Sequence, residues 1–289
     1  MARNEDPAGA NRGAETNSPC DNDHIHSNGS GGSQDANGPC DARIAVAFLE
    51  QLRPPPWSLT AIIPDDKTTL TVVAHCAQDV ADFVGKYNGS RNLYYSVNPI
   101  RNPVNKKAAK TDISAIEYAL GDLDPVEGET PEAAKARYQQ ALETFEFKPT
   151  GAVDSGNGIQ CLWKIGTISL GEPVTGAPDG KGKTKLIPRP EDQVKIDDAE
   201  ERIGALMERL GAKKGTQNID RILRLPGTIN LPNAKKLRDG RKECPTKLLW
   251  FNGAAYDISD RVVSPLAPWP YALKQVSGIS NRAESSRLE

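Results

Sequence analysis

The sequence predicts an α+β domain built on an antiparallel or mixed sheet. Two observations carry this. Short β-branched and aromatic runs come in pairs joined by tight turns, as in "WSLTAIIPDDKTTLTVVAH" and "TGAVDSGNGIQCLWKI". Amphipathic helical runs fall between these pairs without the regular strand–helix rhythm of a doubly wound parallel sheet.

The elements follow in order. Residues 1 to 41 are rich in Gly, Asn, Ser and Asp and nearly free of large apolar side chains, so burial there cannot offset chain entropy; a disordered polar tail is expected. Its Cys20, His24, His26 and Cys40 are zinc-ligand types, but their spacing fits no finger pattern. "CDARIAVAFLEQLRPPP" reads as a helix with Ile44, Phe48, Leu49 and Leu52 on one face, stopped by prolines. Two strands, a helix ("AQDVADFVGKY") and a third strand ("NLYYSVNPI") follow. A basic connection then carries Arg101, Lys106, Lys107 and Lys110 ahead of the strand "ISAIEYALGDLDP".

Thr130 caps the next helix, with Pro131 in its first turn and Tyr138, Ala141, Leu142 and Phe145 as its buried stripe. Residues 167 to 195 are Gly, Pro and Lys rich and read as an exposed insertion. "DDAEERIGALMERLGA" is a helix with Ile203, Leu206, Met207 and Leu210 inward and Gly211 as its stop. "NIDRILRLPGTINLPN" is short, basic and turn-punctuated. "TKLLWFNGAAYDI" predicts a final hairpin around Asn252-Gly253. The folded domain is expected to span 42 to 262, with 263 to 289 a tail or linker.

Bulk properties narrow the function. No stretch approaches the roughly 18 apolar residues of a membrane span, and "MARNEDPAGANRG" lacks the apolar core of a secretion signal. Five scattered cysteines without a CxxC pair speak for a reducing, cytoplasmic setting. Formal net charge is −2, of which residues 1 to 40 hold −4, so the rest carries only about +2. Bulk charge alone does not announce a nucleic-acid binder.

Three short stretches carry chemistry. In "YALGDLDP", Asp122 and Asp124 stand two apart, which on a strand puts both on one face with Leu123 turned inward. Two such carboxylates repel unless a cation lies between them, and oxygen ligands suit Mg²⁺ or Mn²⁺. The plain alternative is a turn with both acids in water. In "DSGNGIQCLW", Ser155, Gly156, Asn157 and Gly158 join two strands, and Gln160 opens the second. Glycine turns let backbone N–H groups approach phosphate oxygens; the alternative is an ordinary hairpin turn. In "NIDRILRLPGTIN", Asp220 offers a third carboxylate, and Arg221 and Arg224 suit phosphate; the alternative is a surface ion pair.

Taken together and in this order, the motifs resemble the archaeo-eukaryotic primase (AEP) superfamily. Within it they resemble the RepB-like primase and primase-polymerase domains of plasmids, phages and integrated elements. The resemblance implies a catalytic core with an RRM-like sheet and packed helices. It implies template-directed nucleotidyl transfer with two divalent ions, Mg²⁺ or Mn²⁺, held by Asp122, Asp124 and Asp220. Ser155, the 156–158 turn, Gln160, Arg221 and Arg224 would contact NTPs or dNTPs. Lys106, Lys107 and Lys110 would follow a single-stranded DNA template; the alternative is an ordinary solvated loop. The superfamily's second motif usually ends in His where this chain has Gln160, a donor without charge. A replicative helicase is a further candidate partner; no G-x-x-x-x-G-K-[ST] loop occurs in this chain. Two rival functions use the same residues: a metal-dependent nuclease, and a non-catalytic module binding single-stranded or origin DNA.

Overall fold

The strands gather into two main sheets. The computed structural model describes residues 41–213, 215–258 and the backbone strand 273–275. The tail expected over 1 to 41, but for Asp41, lies outside the described residues, as do its Cys and His residues.

The chain enters at α1 (Ala42–Leu52), where the Asp41 side chain accepts from the Arg43 N–H and so satisfies an orphan donor of the first turn. Phe48, Leu49 and Leu52 are buried as their spacing requires. The first sheet is fully antiparallel, in the order β2 (Thr69–Ala74), β1 (Trp57–Ile62), β3 (Asn92–Ser96), β9 (Ile222–Arg224). Helix α2 (Ala77–Tyr87) links β2 to β3.

The second sheet is organised around β6 (Ile159–Ser169). One edge of β6 takes β4 (Ala115–Leu123) along its whole length, antiparallel. Its other edge is shared by β5 (Gly151–Asp154), opposite Ile159–Leu162, and by β13 (Ala255–Ile258), parallel to Lys164–Ile165. The sheet is therefore mixed. β12 (Lys247–Phe251) lies outside β5. Leu273–Gln275 (β14), within the segment expected as tail or linker, pairs antiparallel with β13.

Between these elements, α3 (Pro131–Thr144) is capped by Thr130, whose Oγ1 accepts from the Ala133 N–H. A 3-10 turn (Lys110–Asp112) precedes β4. The short pairs β7 (Val174–Thr175) with β8 (Leu186–Ile187), and β10 (Ile229–Asn230) with β11 (Cys244–Pro245), stand apart from the main sheets. Helices α4 (Pro190–Arg209) and α5 (Ala234–Arg238) complete the fold. None of the described helices is long and apolar enough to cross a membrane.

Two expectations need correction. β12 and β13 do not form a hairpin about Asn252-Gly253. β12 pairs with β5 and β13 with β6, because the segment wraps around the start of β5: the Asn252 N–H donates to the Thr150 carbonyl and Thr150 Oγ1 donates to the Ala254 carbonyl. Helix α4 begins at Pro190, inside the expected insertion. Its first turn is polar, so apolar periodicity could not mark it. Pro190 sits at the helix start, and Asp192 is buried there, accepting from the Gly171 N–H at 2.8 Å.

The two sheets are joined by side-chain to backbone bonds. Asn98 Oδ1 accepts from the Glu117 and Tyr118 N–H groups of β4. Tyr118 OH donates to the Leu52 carbonyl of α1. These bonds tie the first half of β4 to the segment just after β3 and to α1.

Candidate functional site

The end of β4 places the two carboxylates. Asp122 is buried and stands opposite Gln160 in the β4–β6 ladder, Leu123 is fully buried, and Asp124 follows just beyond the strand, exposed. Asp122 Oδ1 accepts from Gln160 Nε2 at 3.1 Å, and Oδ2 accepts from Arg221 Nη2 at 2.5 Å. The Asp124 carboxyl titrates above the ordinary aspartate range, first because surrounding protein desolvates it and then because of the Asp122 charge. Its open surface means this is crowding at a pocket mouth, not full burial.

The glycine turn does a different job from the one its composition suggests. The Gly156 N–H donates to Asp154 Oδ1 (2.8 Å) and the Gly158 N–H to Ser155 Oγ (3.2 Å). Ser155 Oγ donates in turn to the Gly158 carbonyl. Expected as phosphate donors, Ser155, Gly156 and Gly158 are instead bonded within the turn. Of the three N–H groups at 156–158, the Asn157 N–H alone has no protein acceptor among the described residues. Gly158 is needed for contact: a Cβ there would lie 2.4 Å from the Leu123 carbonyl oxygen. The turn thus packs directly on the backbone that carries Asp124.

Gln160 joins the two sheets. Its Nε2 donates to Asp122, while its Oε1 accepts from the Arg224 N–H at 2.8 Å. The amide oxygen and one Nε2–H are used, so Gln160 orients Asp122, and the second Nε2–H has no protein acceptor among the described residues. Arg224, on β9, is the cross-strand partner of Tyr94 and lies over its ring, 4.5 Å from the centroid. Its Nη1 donates to Asn92 Oδ1. Arg224 has only 9% of its surface exposed and no carboxylate partner among the described residues. Burial lowers its pKa.

Asp220 does not join the carboxylate pair, contrary to expectation. It and Arg221 are consecutive in an Asn218–Arg221 turn and face different partners: Arg221 reaches Asp122, and Asp220 Oδ2 accepts from Lys107 Nζ at 3.0 Å. Lys110 pairs with Glu200 of α4 at 2.7 Å. Of the three template lysines, Lys106 is exposed, while Lys107 and Lys110 are engaged by these acids. No group of three His, Cys, Asp or Glu side chains able to hold a metal occurs among the described residues.

The segment after β10 supplies residues that the motifs missed. Asn233 caps α5 through Oδ1 to the Lys236 N–H. The helix ends in a Schellman arrangement: Gly240 takes φ +81°, its N–H donates to the Leu237 carbonyl, and the Arg241 N–H donates to the Lys236 carbonyl. That bond brings Lys236 and Arg241 together, and both line one pocket of about 190 Å³ with Asp122, Asp124, Arg221 and Arg224. Burial lowers the Lys236 pKa, and Arg241 and Arg224 lower it further. Asn230 fixes the pocket wall, Nδ2 donating to the Ser155 carbonyl at 2.6 Å. A readable signal existed: Asn233 and Gly240 bracket a run dense in Lys and Arg.

The pocket sets two carboxylates against four cations. Mg²⁺ is commonly held by one or two carboxylates plus substrate phosphates. Asp122 and Asp124 fit an Mg²⁺ or Mn²⁺ ion arriving with a polyphosphate; they do not make a three-carboxylate cage.

No protein-family model and no curated protein matches the chain. Among solved structures, it is similar to the AEP domain of the cyanophage S-2L primase-polymerase (15% identity, TM-score 0.46, 76% of this chain and 95% of that one). It is also similar to the primase RepB′ (10% identity, TM-score 0.46, 74% of this chain and 57% of that one). A third structure is the catalytic domain of primase RepB′ in complex with initiator DNA (10% identity, TM-score 0.44, 74% of this chain and 86% of that one). These are proteins of the kind the three motifs resemble. At such identities and scores the likeness says nothing about activity, which has to be argued from the site itself.

Proposed function

We propose that this chain is a DNA primase or primase-polymerase, a nucleotidyltransferase that extends a strand on a single-stranded DNA template from NTPs or dNTPs. One observation carries the reading: two carboxylates and four cations, of which only Arg221 has an ion-pair partner among the described residues, face each other across one small pocket. Each group alone is unfavourable: burial first, and then neighbouring like charge, lowers the Lys236 pKa and raises the Asp124 pKa. A metal-bound triphosphate satisfies both at once.

Asp122 and Asp124 hold the metal side of the substrate. Gln160 keeps Asp122 aimed at the pocket, and Arg221, released from Asp122, turns to the phosphates. Arg224, Lys236 and Arg241 take up the remaining phosphate charge. When bound, Mg²⁺ or Mn²⁺ supplies activation of the attacking hydroxyl and neutralises charge on the leaving pyrophosphate. Asp122 and Asp124 would be the carboxylates that hold the metal, since Asp220 is paired with Lys107. Template phosphates fall to Lys106 and to Lys235 and Arg238 of α5, which have no ion-pair partner among the described residues. Action in replication of a plasmid, phage or integrated element beside a replicative helicase belongs to the same proposal and follows from the motif resemblance alone; a cytoplasmic setting follows from the scattered cysteines.

The Asp122–Arg221 and Asp220–Lys107 pairs favour one second reading, a non-catalytic DNA-binding replication module. Incorporation of labelled NTPs or dNTPs on a single-stranded template, with Mg²⁺ and with Mn²⁺, separates the two. Product that vanishes in Asp122→Ala/Asp124→Ala supports the transferase. DNA binding that needs neither metal nor nucleotide, with no product, supports the module. Loss of the DNA without added nucleotide would instead indicate a nuclease.

A further inference from the structure

A second cavity, about 630 Å³, adjoins the charged pocket; Asn157 and Arg241 line both. One wall is the start of α3, with Thr130, Pro131 and Glu132, and the other is the loop from Asp239 to Cys244. The walls are held in place. Lys135 of α3 reaches Asp154 at 3.1 Å and the Gly156 carbonyl at 3.4 Å, and Glu129 is paired with Arg137.

Size and chemistry divide the two cavities. Pockets that enclose whole small-molecule ligands run from about 300 to 1,000 Å³. The charged pocket, at about 190 Å³, is too small for a nucleotide, and the adjoining cavity, at about 630 Å³, is not. The first is dominated by cations. In the second, with Glu129 taken up by Arg137, two acids (Glu132, Asp239) balance two bases (Arg241, Lys242). Such a lining disfavours a phosphate chain but offers the mixed donors and acceptors that a sugar and a base require.

We propose that the groove between the start of α3 and the 239–244 loop receives the nucleoside of the incoming nucleotide, whose phosphates fill the charged pocket. This rests on the metal-nucleotide reading above. Asn157 and Arg241, at the junction, then lie where sugar meets phosphate.

Calorimetric titration with Mg²⁺ and three probes (tripolyphosphate, ATP and a single-stranded oligonucleotide) tests this on the full chain. The variants are Glu132→Trp, which fills the groove from an exposed helix position, and Glu132→Gln, which removes only the charge. The wild type should bind ATP about tenfold or more tighter than tripolyphosphate. Glu132→Trp should erase that difference and leave tripolyphosphate unchanged, with an unaltered thermal melt; Glu132→Gln should retain most of it. ATP affinity unchanged in Glu132→Trp overturns the proposal. So does loss of oligonucleotide binding with ATP intact, which would give the groove to the strand. Failure of the wild type to bind either tripolyphosphate or ATP takes down the phosphate-pocket reading itself, and this proposal with it.

Discussion

The two walls of the pocket are made by different means. The carboxylate wall is a ladder: β4 lies along β6 from Ala115 opposite Ser169 to Leu123 opposite Ile159, with Asp122 locked opposite Gln160. The cation wall, from Arg221 to Arg241, has strands of two or three residues and a five-residue helix. β9 is laddered to β3 and β10 pairs briefly with β11, and the rest is held by single side-chain bonds: Asn88 accepts from the Ile229 N–H, Asn92 from the Leu231 N–H and Asp65 from the Ala234 N–H. A ladder spreads its cost over many bonds, whereas a wall of caps and turns can adjust locally. Asp122 and Arg224 are therefore fixed in ladders, and the α5 segment that carries Lys236 and leads to Arg241 is the part built to adjust.

The largest effect tests the rigid wall. Asp122→Ala with Asp124→Ala should reduce incorporation to background while circular dichroism stays native, because β4 keeps its ladder bonds. Next comes the contact between the glycine turn and that wall. Gly158→Ala forces a Cβ against the Leu123 backbone and should cost roughly 1–3 kcal/mol in urea unfolding, with loss of activity as Asp124 shifts. On the adjustable wall, Asn233→Ala removes the α5 cap, worth about 1 kcal/mol locally. Nucleotide affinity should fall with little change in global stability, since local opening there stays decoupled from the sheets. If Asn233→Ala unfolds the whole domain, the contrast between the walls is wrong.

A pH effect distinguishes Asp124 from ordinary surface acids. Because the folded-state pKa of Asp124 is raised, the folded chain binds more protons than the unfolded one between the usual aspartate value and the folded value. Stability from this group therefore falls as pH rises through that window and is recovered below it. Asp124→Asn should remove that slope and raise the melting temperature slightly at neutral pH without metal. Added Mn²⁺ should stabilise the wild type and not the variant. The smallest effect lies at Lys106: Lys106→Ala should lower the salt slope of single-stranded DNA binding by about one and leave nucleotide affinity unchanged.

The rigid wall was the legible one. Apolar runs in "IEYALGDL" and "IQCLW" identify β4 and β6, and the glycine turn that joins β5 to β6 is visible between its strands. What the pattern could not show was how polar atoms are used. Ser155 and Gln160 were recognised as site residues, yet their bonds run to Gly158, Asp122 and Arg224, because pairing partners depend on which strands become neighbours. Asp220 was read as a metal ligand because it precedes Arg221; in a turn, successive residues diverge, and it meets Lys107. Lys236 and Arg241 went unnoticed because five helical residues show no period, although the cap residues around them were readable. The false hairpin at Asn252-Gly253 has the same origin: a turn signal fixes where the chain bends, not which strand edge is open to receive it.

The central claim is that the two walls are bridged by a metal-bound polyphosphate. Its most direct test is nucleoside triphosphate affinity measured with and without Mn²⁺, in the wild type and in Asp122→Asn/Asp124→Asn. Strong metal dependence in the wild type, abolished in the variant, is the predicted result. Equal affinity with and without metal in the wild type would contradict it.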